Sequence, residues 1–267
     1  MKPEIVPVDN TPLLMELRGL ITQARERVAV GVNRELVLLY WDLGQRIHVE
    51  ILGEERAEYG KRIVATLSQQ LTEEFGRGFT HSNLVRMTQL AEQFPDRAII
   101  EKLSEALSWS HFVEILALRD PLEREFYATF CHASRWSVRG LRKEIAGALF
   151  ARTALSRNTD EVMRGELAKL REEDRWTPDL VFRDPYLLPF LGLNDTYSER
   201  DLETALLREM EAFLLELGEG FAFVSRQKRM VVDGRDFVLD LLFYHRGLRR
   251  LIALDLKIGA FEPGFKS

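Results

Sequence analysis

The 267-residue sequence has a single cysteine, so no disulfide can form within the chain. A lone Cys131 fits a reducing compartment. No apolar run is long enough to span a bilayer, and the first residues lack the pattern of a secretory signal peptide. These absences predict a cytoplasmic protein that makes no membrane contact.

Several common kinds of site also lack their residues. The five histidines are scattered without the spacing of a zinc site, and there is no cysteine pair. The P-loop, dinucleotide-binding and Gly-x-Ser-x-Gly patterns are absent as well. Basic residues are outnumbered, 37 against 42 acidic ones, which gives a formal net charge of −5. Any contact with nucleic acid must therefore come from a local basic patch.

Apolar residues, by contrast, make up 46% of the chain, which is enough for packed cores. They recur at helical spacing between residues 11 and 155, so we predict an all-helical N-terminal domain over 11–155. Three of the stripes are Leu13, Leu14, Leu17, Leu20, Ile21, Ala24; then Leu36, Leu39, Tyr40, Leu43, Ile47, with Gly44 as an imperfection; then Ile63, Leu67, Leu71, Phe75.

A glycine-containing break separates two predicted helices of this domain. The break is Gly76-Arg77-Gly78-Phe79, and Thr80 opens a new helix that runs to about Gln93, ahead of Pro95. Two helices joined by a tight turn are compatible with a helix-turn-helix unit that binds nucleic acid. The same spacing is common in helical domains that bind nothing, so both interpretations stay open.

The main basic stretch lies between residues 135 and 157. Arg135, Arg139 and Arg142 recur at helical spacing, with Lys143 beside them. Guanidinium groups suit phosphate, and such contacts position a protein on DNA without reading its sequence. We predict that these four residues bind nucleic acid. The alternative is an exposed helix face whose charges pair with acidic neighbours.

The chain changes character after residue 155. Residues 156–190 are polar and charged and contain Pro178, Pro185 and Pro189, which predicts a linker and an irregular lead-in. Residues 191–267 combine a helical stripe with three strand-length apolar runs. The predicted fold class is therefore α+β overall, with an all-helical N-terminal domain followed by a partial α/β domain.

Two of the apolar runs each contain a carboxylate, Asp240 in the first and Asp255 in the second. Such runs are typical of buried strands, where a lone carboxylate is costly unless it is paired or bound to a metal. A two-residue loop at Gly247-Leu248, with a type II′ turn, places Asp240 opposite Asp255. Alternation along the strand then puts Lys257 on the face of Asp255. Moving the loop back by one residue keeps all three on one face, whereas a three-residue loop does not.

A third run, residues 221–231, precedes these two strands. Asp233-Gly234 is a strong signal for a two-residue hairpin turn, which places Gln227 opposite Asp240. Two carboxylates that face each other, such as Asp240 and Asp255, repel across a ladder. A divalent cation between them removes that objection.

A helix is predicted from about residue 199 to residue 217, ahead of the strands. Ser198 is its N-cap with Asp201 three residues on, a variant of the capping box, and glycines follow its end. Glu203 borders the apolar stripe of the helix instead of pointing squarely to water. If the helix packs on the sheet, Glu203 comes near the two aspartates, although Glu199 is a competing choice.

The charged residues of the strands also have a purely structural interpretation. Asp240 could form a salt bridge with Lys257 or with Arg229, with no metal involved. Asp255 and Lys257 could belong to an exposed edge strand, where alternating charge is normal.

The order of a helix with a glutamate, a strand, a strand with Asp240 and a strand with Asp255-Leu256-Lys257 resembles the PD-(D/E)xK nuclease fold. The wider sequence resembles one family of that superfamily, the YhcG-like bacterial proteins, which join a helical N-terminal domain to a C-terminal nuclease domain. The matching C-terminal segments are Asp184-Pro185-Tyr186 and residues 190–193, 198–203, 213–218, 227, 240–245 and 256–257. The matching N-terminal segments are Tyr40-Trp41 and residues 107–111 and 136–139.

The resemblance implies a restriction-endonuclease-like C-terminal domain that hydrolyses phosphodiester bonds, with DNA as the expected substrate. Acidic residues of the superfamily hold Mg²⁺, or Mn²⁺ in its place, which implies Asp240, Asp255 and Glu203 as metal ligands here. Lys257 would position or activate the attacking water, and Gln227 would contact the substrate or a metal-bound water. The expected partner is nucleic acid, with a homo-oligomer or a protein partner as further expectations.

The sequence departs from the family pattern near its end. The pattern continues past the lysine into a further helix and strand, whereas this chain stops at Ser267, shortly after Lys257. We therefore expect residues 191–267 to form a partial nuclease domain. Two alternatives to an active enzyme stay open: an inactive nuclease-like protein that binds nucleic acid, and a helical protein that recruits a partner through residues 11–155.

Overall fold

The structure is a computed structural model that describes residues 31–49, 57–153, 158–193, 197–232 and 235–258. The chain divides into two compact units, residues 1–143 and residues 144–267, and each is described by itself. The predicted helix that carries Leu13 to Ala24 lies outside the described residues.

The first unit begins with three helices around one core. They are α1 (residues 31–49), α2 (Ala57–Phe75) and α3 (His81–Gln93), with a 3-10 turn at Arg77–Phe79 between α2 and α3. The predicted glycine-containing break is confirmed, and Thr80 precedes α3 with an extended backbone. The buried core residues are Tyr40, Ile47, Val64, Leu84 and Met87.

A close approach of two backbones explains Gly44 in α1. A Cβ atom added to Gly44 would overlap the carbonyl oxygen of Met87 in α3, so the position has no room for a side chain. Two residues that the helical stripes include are exposed instead, Leu39 at 46% and Phe75 at 60%. Tyr40 supplies the buried position beside Leu39, and Phe75 ends α2 with its ring against Phe79.

Four more helices follow: α4 (Arg97–Leu103), α5 (Trp109–Leu116), α6 (Pro121–Ser134) and α7 (Val138–Ala146). Asp96 and Asp120 cap α4 and α6 by accepting hydrogen bonds from backbone amides two residues on. The interior of this region is rich in aromatic side chains, and Phe112, Phe126 and Tyr127 are fully buried. The all-helical prediction is confirmed for the described residues of this region.

His111 links two segments on which the family resemblance depends. Its Nδ1 accepts a hydrogen bond from the Ser108 amide at 3.0 Å, so Nε2 carries the proton and donates to the Trp136 carbonyl, also at 3.0 Å. Burial lowers the pKa of His111 below its ordinary value, and the bond to Trp136 opposes this only in part. The histidine therefore caps α5 and ties it to the start of α7.

The second unit begins with short helices. They are α8 (Leu149–Arg152), α9 (Asp160–Glu173) and α10 (Pro178–Val181), followed by a 3-10 turn at Pro189–Leu191. All of α9 lies in the stretch predicted as a linker, and its buried residues are Met163, Leu167 and Leu170. A helix with a buried face contributes to packing, in contrast to a bare connecting segment.

A network of charges holds the lead-in segment after α10. Glu216 forms ion pairs with Arg152 and with Arg183, and all three side chains are less than 15% exposed. The same glutamate accepts a hydrogen bond of 2.6 Å from the Leu187 amide, and Arg152 donates from Nε to the Pro185 carbonyl at 3.2 Å. The network therefore fixes the segment that begins with Asp184-Pro185-Tyr186.

Two consecutive helices, α11 (Glu199–Arg208) and α12 (Met210–Leu217), replace the single helix predicted over residues 199–217. The predicted capping box is confirmed, because the Ser198 amide donates to Asp201 Oδ2 at 2.9 Å and the Asp201 amide donates to Ser198 Oγ at 3.1 Å. The helices are interrupted at Glu209, where ψ is 34°. The apolar residues keep the same helical spacing on both sides of Glu209, so the spacing could not predict the interruption.

The sheet contains three antiparallel strands in the order β1 (Phe221–Val232), β2 (Arg235–His245) and β3 (Arg250–Leu254). The apolar core between the sheet and the two preceding helices contains Leu191, Leu202, Ala205, Leu206, Phe213, Leu217, Leu241 and Phe243. Asp233 and Gly234 lie outside the described residues, but the flanking residues Val232 and Arg235 are paired.

The turn between β2 and β3 differs from the predicted two-residue loop. The strands pair up to His245 and Arg250, so the turn comprises residues 246–249, and the residue with positive φ is Arg249 at 53°. A Cβ atom on Gly247 would lie 2.7 Å from the Trp176 ring, so close packing explains this glycine better than turn geometry does. The register is nevertheless the predicted one. A turn over residues 246–249 and a loop over residues 247–248 have the same centre, so both pair His245 with Arg250.

The fold class is α+β, as predicted. Burial of the strands is less complete than the apolar runs indicate: Leu241, Leu242 and Phe243 are buried, whereas β3 alternates between exposed and half-buried residues. The reason is that β3 pairs only with β2 within the described sheet. In the part of the chain that the structure describes, none of the helices has the length and apolar character needed to cross a membrane.

Candidate active site

The second unit has a cleft of about 410 Å³ where the start of α11 meets the sheet. Residues from three elements and from the segment after β3 surround it: Glu199, Arg200, Glu203, Gln227, Asp240, Leu256 and Lys257. Four of the five residues predicted for catalysis therefore line one cleft. The fifth, Asp255, contacts two of them directly.

Asp240 lies at the centre of a hydrogen-bond network. Its Oδ2 accepts a bond of 2.8 Å from the Leu256 amide, and its Oδ1 accepts one of 3.1 Å from Gln227 Nε2. Partial burial raises the pKa of Asp240. The hydrogen bonds from Leu256 and Gln227, together with the charge of Lys257, outweigh burial and hold that pKa below its ordinary value. Asp240 is therefore an ionised carboxylate at neutral pH.

Asp255 lies just beyond the end of β3, not in the middle of a strand as predicted. Because Leu241 pairs with Leu254, the next position in the same register places Asp255 opposite Asp240. The two carboxyl groups therefore lie next to each other. The predicted juxtaposition of the two aspartates is thus present, although the strand ends before it.

Lys257 contacts the neighbouring carboxylate. Its Nζ lies 2.9 Å from Asp255 Oδ1 and 3.3 Å from the Leu256 carbonyl oxygen. The bond to Asp255 raises the pKa of Lys257, and the charges of Asp255, Glu199 and Asp240 add to this effect. Lys257 is therefore a fixed positive charge at the edge of the cleft.

Glu199 and Glu203, one turn apart on α11, have different surroundings. Glu199 accepts a hydrogen bond of 3.3 Å from the Ile258 amide, and its Oε2 lies 4.0 Å from Lys257 Nζ. Glu203 is half-buried and faces the cleft with Asp240. The capping box at Ser198 sets the start of α11 and so positions both glutamates.

The residues of the cleft fit a divalent cation that keeps most of its waters. Among the described residues, no group of three or more His, Cys, Asp or Glu side chains converges as a complete metal site. Instead, Asp240 and Glu203 both line the cleft, Asp255 lies beside Asp240, and the Leu256 carbonyl lies within reach of Lys257. Mg²⁺ is bound in this way in many proteins, through one or two carboxylates and several waters.

Gln227 has an unusual backbone for a residue within a strand. Its φ is 46°, in the left-handed region that L-residues other than Asn, Asp and Gly seldom adopt. Its neighbours Arg226 and Lys228 pair with Leu241 and Leu239, so Gln227 stands opposite Asp240, as predicted. The local strand distortion brings its amide to the carboxylate.

The four residues predicted to bind nucleic acid lie on or next to α7, and all four are exposed. Arg142 pairs with Glu114 at 2.7 Å, and Arg135 donates from Nη1 to the Glu105 carbonyl at 3.1 Å. The alternative interpretation, in which these charges pair with acidic neighbours, is therefore supported at Arg142 by a specific contact. Arg139 and Lys143 are not engaged in the hydrogen bonds or ion pairs found among the described residues.

The sequence prediction assigns no role to Arg200, and at His245 it favours a turn residue over one near the substrate. Arg200 lines the cleft, and its position directly after Glu199 at the start of α11 was an available signal. His245 ends β2 and is buried, with Nε2 3.1 Å from the Glu219 carbonyl and Nδ1 accepting from the Leu248 amide at 3.0 Å. These contacts make His245 a structural residue that closes the turn.

Two family models match successive parts of the chain. The DUF1016 N-terminal domain matches residues 16–152, and the YhcG PDDEXK nuclease domain matches residues 179–267. A protein of Escherichia coli (strain K12) named "Putative nuclease YhcG" is 35% identical, over 91% of this chain and 72% of its own length. No solved structure matches the chain. The chain belongs to the YhcG family, in which a DUF1016 N-terminal domain is joined to a PDDEXK nuclease domain.

Proposed function

We propose that this protein is a metal-dependent nuclease that hydrolyses phosphodiester bonds in DNA. The observation that carries the proposal is the pair of adjacent carboxylates, Asp240 and Asp255, with Lys257 bonded to the second of them. Two negative charges side by side repel each other, and a bound cation would remove this repulsion. The cleft that Asp240 lines has space for such a cation.

In the proposed mechanism, Asp240, Asp255, Glu203 and the Leu256 carbonyl would hold Mg²⁺ or Mn²⁺. When bound, such an ion would lower the pKa of a coordinated water and offset charge on the phosphate. Lys257 orients the attacking water and offsets charge that develops on the phosphate oxygens.

Other contacts position these groups. Gln227 and the Leu256 amide each donate to one oxygen of Asp240, which keeps that carboxylate ionised and fixes its direction. We propose that the helical domain over residues 11–155 holds the nucleic acid, through Arg135, Arg139, Arg142 and Lys143, or a protein partner. The lone buried Cys131 supports a cytoplasmic location.

The test is cleavage of labelled single-stranded, duplex and branched DNA with Mg²⁺ or Mn²⁺. We expect Asp240→Asn and Asp255→Ala to abolish cleavage while the thermal unfolding midpoint stays close to that of the parent. Asp236→Asn, an exposed position on the same strand as Asp240, is the matched control and should cleave normally. Full activity of the Asp240→Asn variant would refute the assignment.

The alternative of an inactive, nucleic-acid-binding protein rests on one contact. Lys257 already neutralises Asp255, so the two form an ion pair that needs no metal. This alternative predicts salt-dependent binding of DNA without cleavage under any divalent cation. The same assay separates the two functions.

A further inference from the structure

Lys257 contacts two of the oxygen atoms that the proposed function assigns to a metal ion. Its Nζ lies 2.9 Å from Asp255 Oδ1 and 3.3 Å from the Leu256 carbonyl oxygen. Within the described part of the chain, Lys257 is also the basic residue that forms an ion pair with Asp255. Two of the four groups proposed to hold the cation are therefore already bound to a positive charge of the protein itself.

Asp240 is held in a different way from Asp255. Its two oxygens accept hydrogen bonds from neutral donors, Gln227 Nε2 and the Leu256 amide. A carboxylate oxygen has more than one lone pair, so each oxygen of Asp240 can accept a further contact. A cation can thus approach Asp240 without displacing a charge, whereas at Asp255 it meets the Lys257 ammonium.

The Lys257 ammonium and a divalent cation repel each other if both contact Asp255. Mg²⁺ binds carboxylate oxygens at about 2.0–2.1 Å, so an ion on Asp255 Oδ1 would lie within about 5 Å of Nζ if the lysine kept its present position. Like charges at this distance repel strongly in a partly desolvated cleft. The lysine is able to move, because its side chain is 38% exposed and its four-carbon stem is flexible.

We propose that Lys257 is a tethered counter-ion of the cation site. It neutralises Asp255 while no cation is bound, and it leaves Asp255 and the Leu256 carbonyl when a divalent cation binds there. The proposal rests on the proposed nuclease function and adds an order of events to it. Lys257 becomes available to a water or a phosphate only after the cation has taken its place on Asp255.

A shared arrangement of Asp255 makes a different prediction. Asp255 has two oxygens, so Lys257 could keep Oδ1 while a cation takes the other oxygen. In that arrangement the lysine holds Asp255 in position, and its removal leaves the affinity for the cation unchanged or weakens it. Displacement requires instead that removal of the lysine charge strengthens binding. The sign of the change therefore distinguishes the two arrangements.

The experiment measures Mn²⁺ binding to the full chain by isothermal titration calorimetry, without nucleic acid, so that the result does not depend on cleavage. The test variant is Lys257→Met, which keeps an apolar stem and removes the charge. The matched control is Lys228→Met. Lys228 is exposed on β1 and pairs with Leu239, so alternation along the strands places it on the opposite face from Asp240.

We expect Lys257→Met to bind Mn²⁺ about fivefold more tightly than the parent, or more, because no ion pair has to separate and no ammonium repels the ion. Lys228→Met should stay within about twofold of the parent, since salt screens an exposed charge that has no contact with the site. The gain from Lys257→Met should shrink when both proteins also carry Asp255→Asn, which leaves no ion pair to separate. Lys257→Gln replaces the Met variant if that variant does not fold.

An affinity of Lys257→Met equal to or weaker than that of the parent would overturn the proposal, as would a lack of Mn²⁺ binding by both proteins. An undiminished gain in the presence of Asp255→Asn would also overturn it, because the lysine would then act without Asp255. Failure of the nuclease assignment gives a different result. If the parent cleaves no DNA with any divalent cation but Lys257→Met still binds Mn²⁺ more tightly, the nuclease assignment fails and the counter-ion role stands.

Discussion

Gln227 donates a hydrogen bond of 3.1 Å to Asp240 from a backbone conformation that glutamine seldom adopts. A non-glycine residue in the left-handed region costs on the order of 1–3 kcal/mol, and such residues cluster at functional sites. Arg226 and Lys228 on either side keep one register with β2, so the distortion at Gln227 is local; a separate irregularity lies between Phe223 and Ser225. This backbone conformation brings the side-chain amide of Gln227 to Asp240, so the strained residue is also the one that makes the hydrogen bond to the central carboxylate of the cleft.

The first prediction separates the strain at this position from the hydrogen bond. Gln227→Gly permits the same φ without a Cβ and removes the amide. We expect the free energy of unfolding to stay within about 1 kcal/mol of the parent or to rise, while cleavage falls at least tenfold. Urea unfolding and a cleavage assay on the same preparation measure both. Gln227→Asn, which tolerates this conformation but has a shorter side chain, should behave similarly; parent-like cleavage by both variants would contradict the role of Gln227.

The second prediction concerns the contact of α1 with α3. Gly44→Ala places a methyl group where the Met87 carbonyl lies, so the helices must separate. We expect the free energy of unfolding to fall by about 1–3 kcal/mol, the usual cost of overpacking.

Gly165→Ala in α9 is the matched control for Gly44→Ala, since no atom lies within 4 Å of the added Cβ. It should stabilise by up to about 1 kcal/mol through helix propensity. Chemical unfolding followed by helical circular dichroism gives both values. Equal changes in the free energy of unfolding for the two substitutions would show that the close contact of Gly44 with Met87 does not determine stability.

The positions of the candidate site residues on the strands could be predicted from sequence because strand registers are set locally. The turn signal at Asp233-Gly234 predicts how β1 meets β2, and the observed pairing of the flanking residues Val232 and Arg235 leaves Gln227 opposite Asp240. The short connection between β2 and β3 likewise fixes Asp240 opposite Asp255. Because side chains along a strand alternate between the two faces of the sheet, the register then determines the face on which each polar residue lies.

The remaining details depend on contacts between distant parts of the chain. Trp176 packs on Gly247 and shapes the turn, and nothing near Gly247 in the sequence indicates this. The backbone of Met87 does the same for Gly44. The choice between Glu199 and Glu203 depends on the rotation of α11 against the sheet, which helical periodicity leaves open within one turn.

The third prediction is a decrease in stability at acidic pH caused by His111. Its pKa is lowered in the folded state by burial, so the unfolded state binds the proton more readily. The contribution of His111 is therefore complete above its ordinary pKa of 6.5 and disappears as the pH falls below that value. The urea concentration at the midpoint of unfolding should therefore decrease as the pH is lowered from about 7.5 to about 5.5.

A substitution at the capping position tests this origin. In His111→Gln the side-chain oxygen can still accept from the Ser108 amide, as in a capping box, but it does not titrate. The dependence of the unfolding midpoint on pH should be smaller in this variant than in the parent. His81→Gln, at an exposed position of α3, should leave the dependence unchanged. An undiminished dependence in His111→Gln would assign the effect to other groups.

The fourth prediction concerns the ion network around Glu216. Glu216→Ala leaves the guanidinium groups of Arg152 and Arg183 without their shared carboxylate and the Leu187 amide without its acceptor. Breaking a largely buried ion pair costs about 3–5 kcal/mol. Glu211→Ala, exposed on the same helix, should cost less than about 0.5 kcal/mol. Thermal unfolding compares the two variants, and similar midpoints would show that the network contributes little.

The fifth prediction distinguishes the two glutamates of α11. Both glutamates line the cleft with Asp240, but Glu199 is engaged with Lys257 and the Ile258 amide, so we expect Glu203 to be the one that contacts a bound cation or its waters. We expect Glu203→Gln to raise the Mg²⁺ concentration needed for half-maximal cleavage by about tenfold or more, with the rate restored at high Mg²⁺. Glu199→Gln should lower the maximal rate without moving that concentration, because it acts through the lysine. Cleavage rates measured across a Mg²⁺ titration decide the assignment, and an exchange of the two patterns would make Glu199 the metal-binding residue.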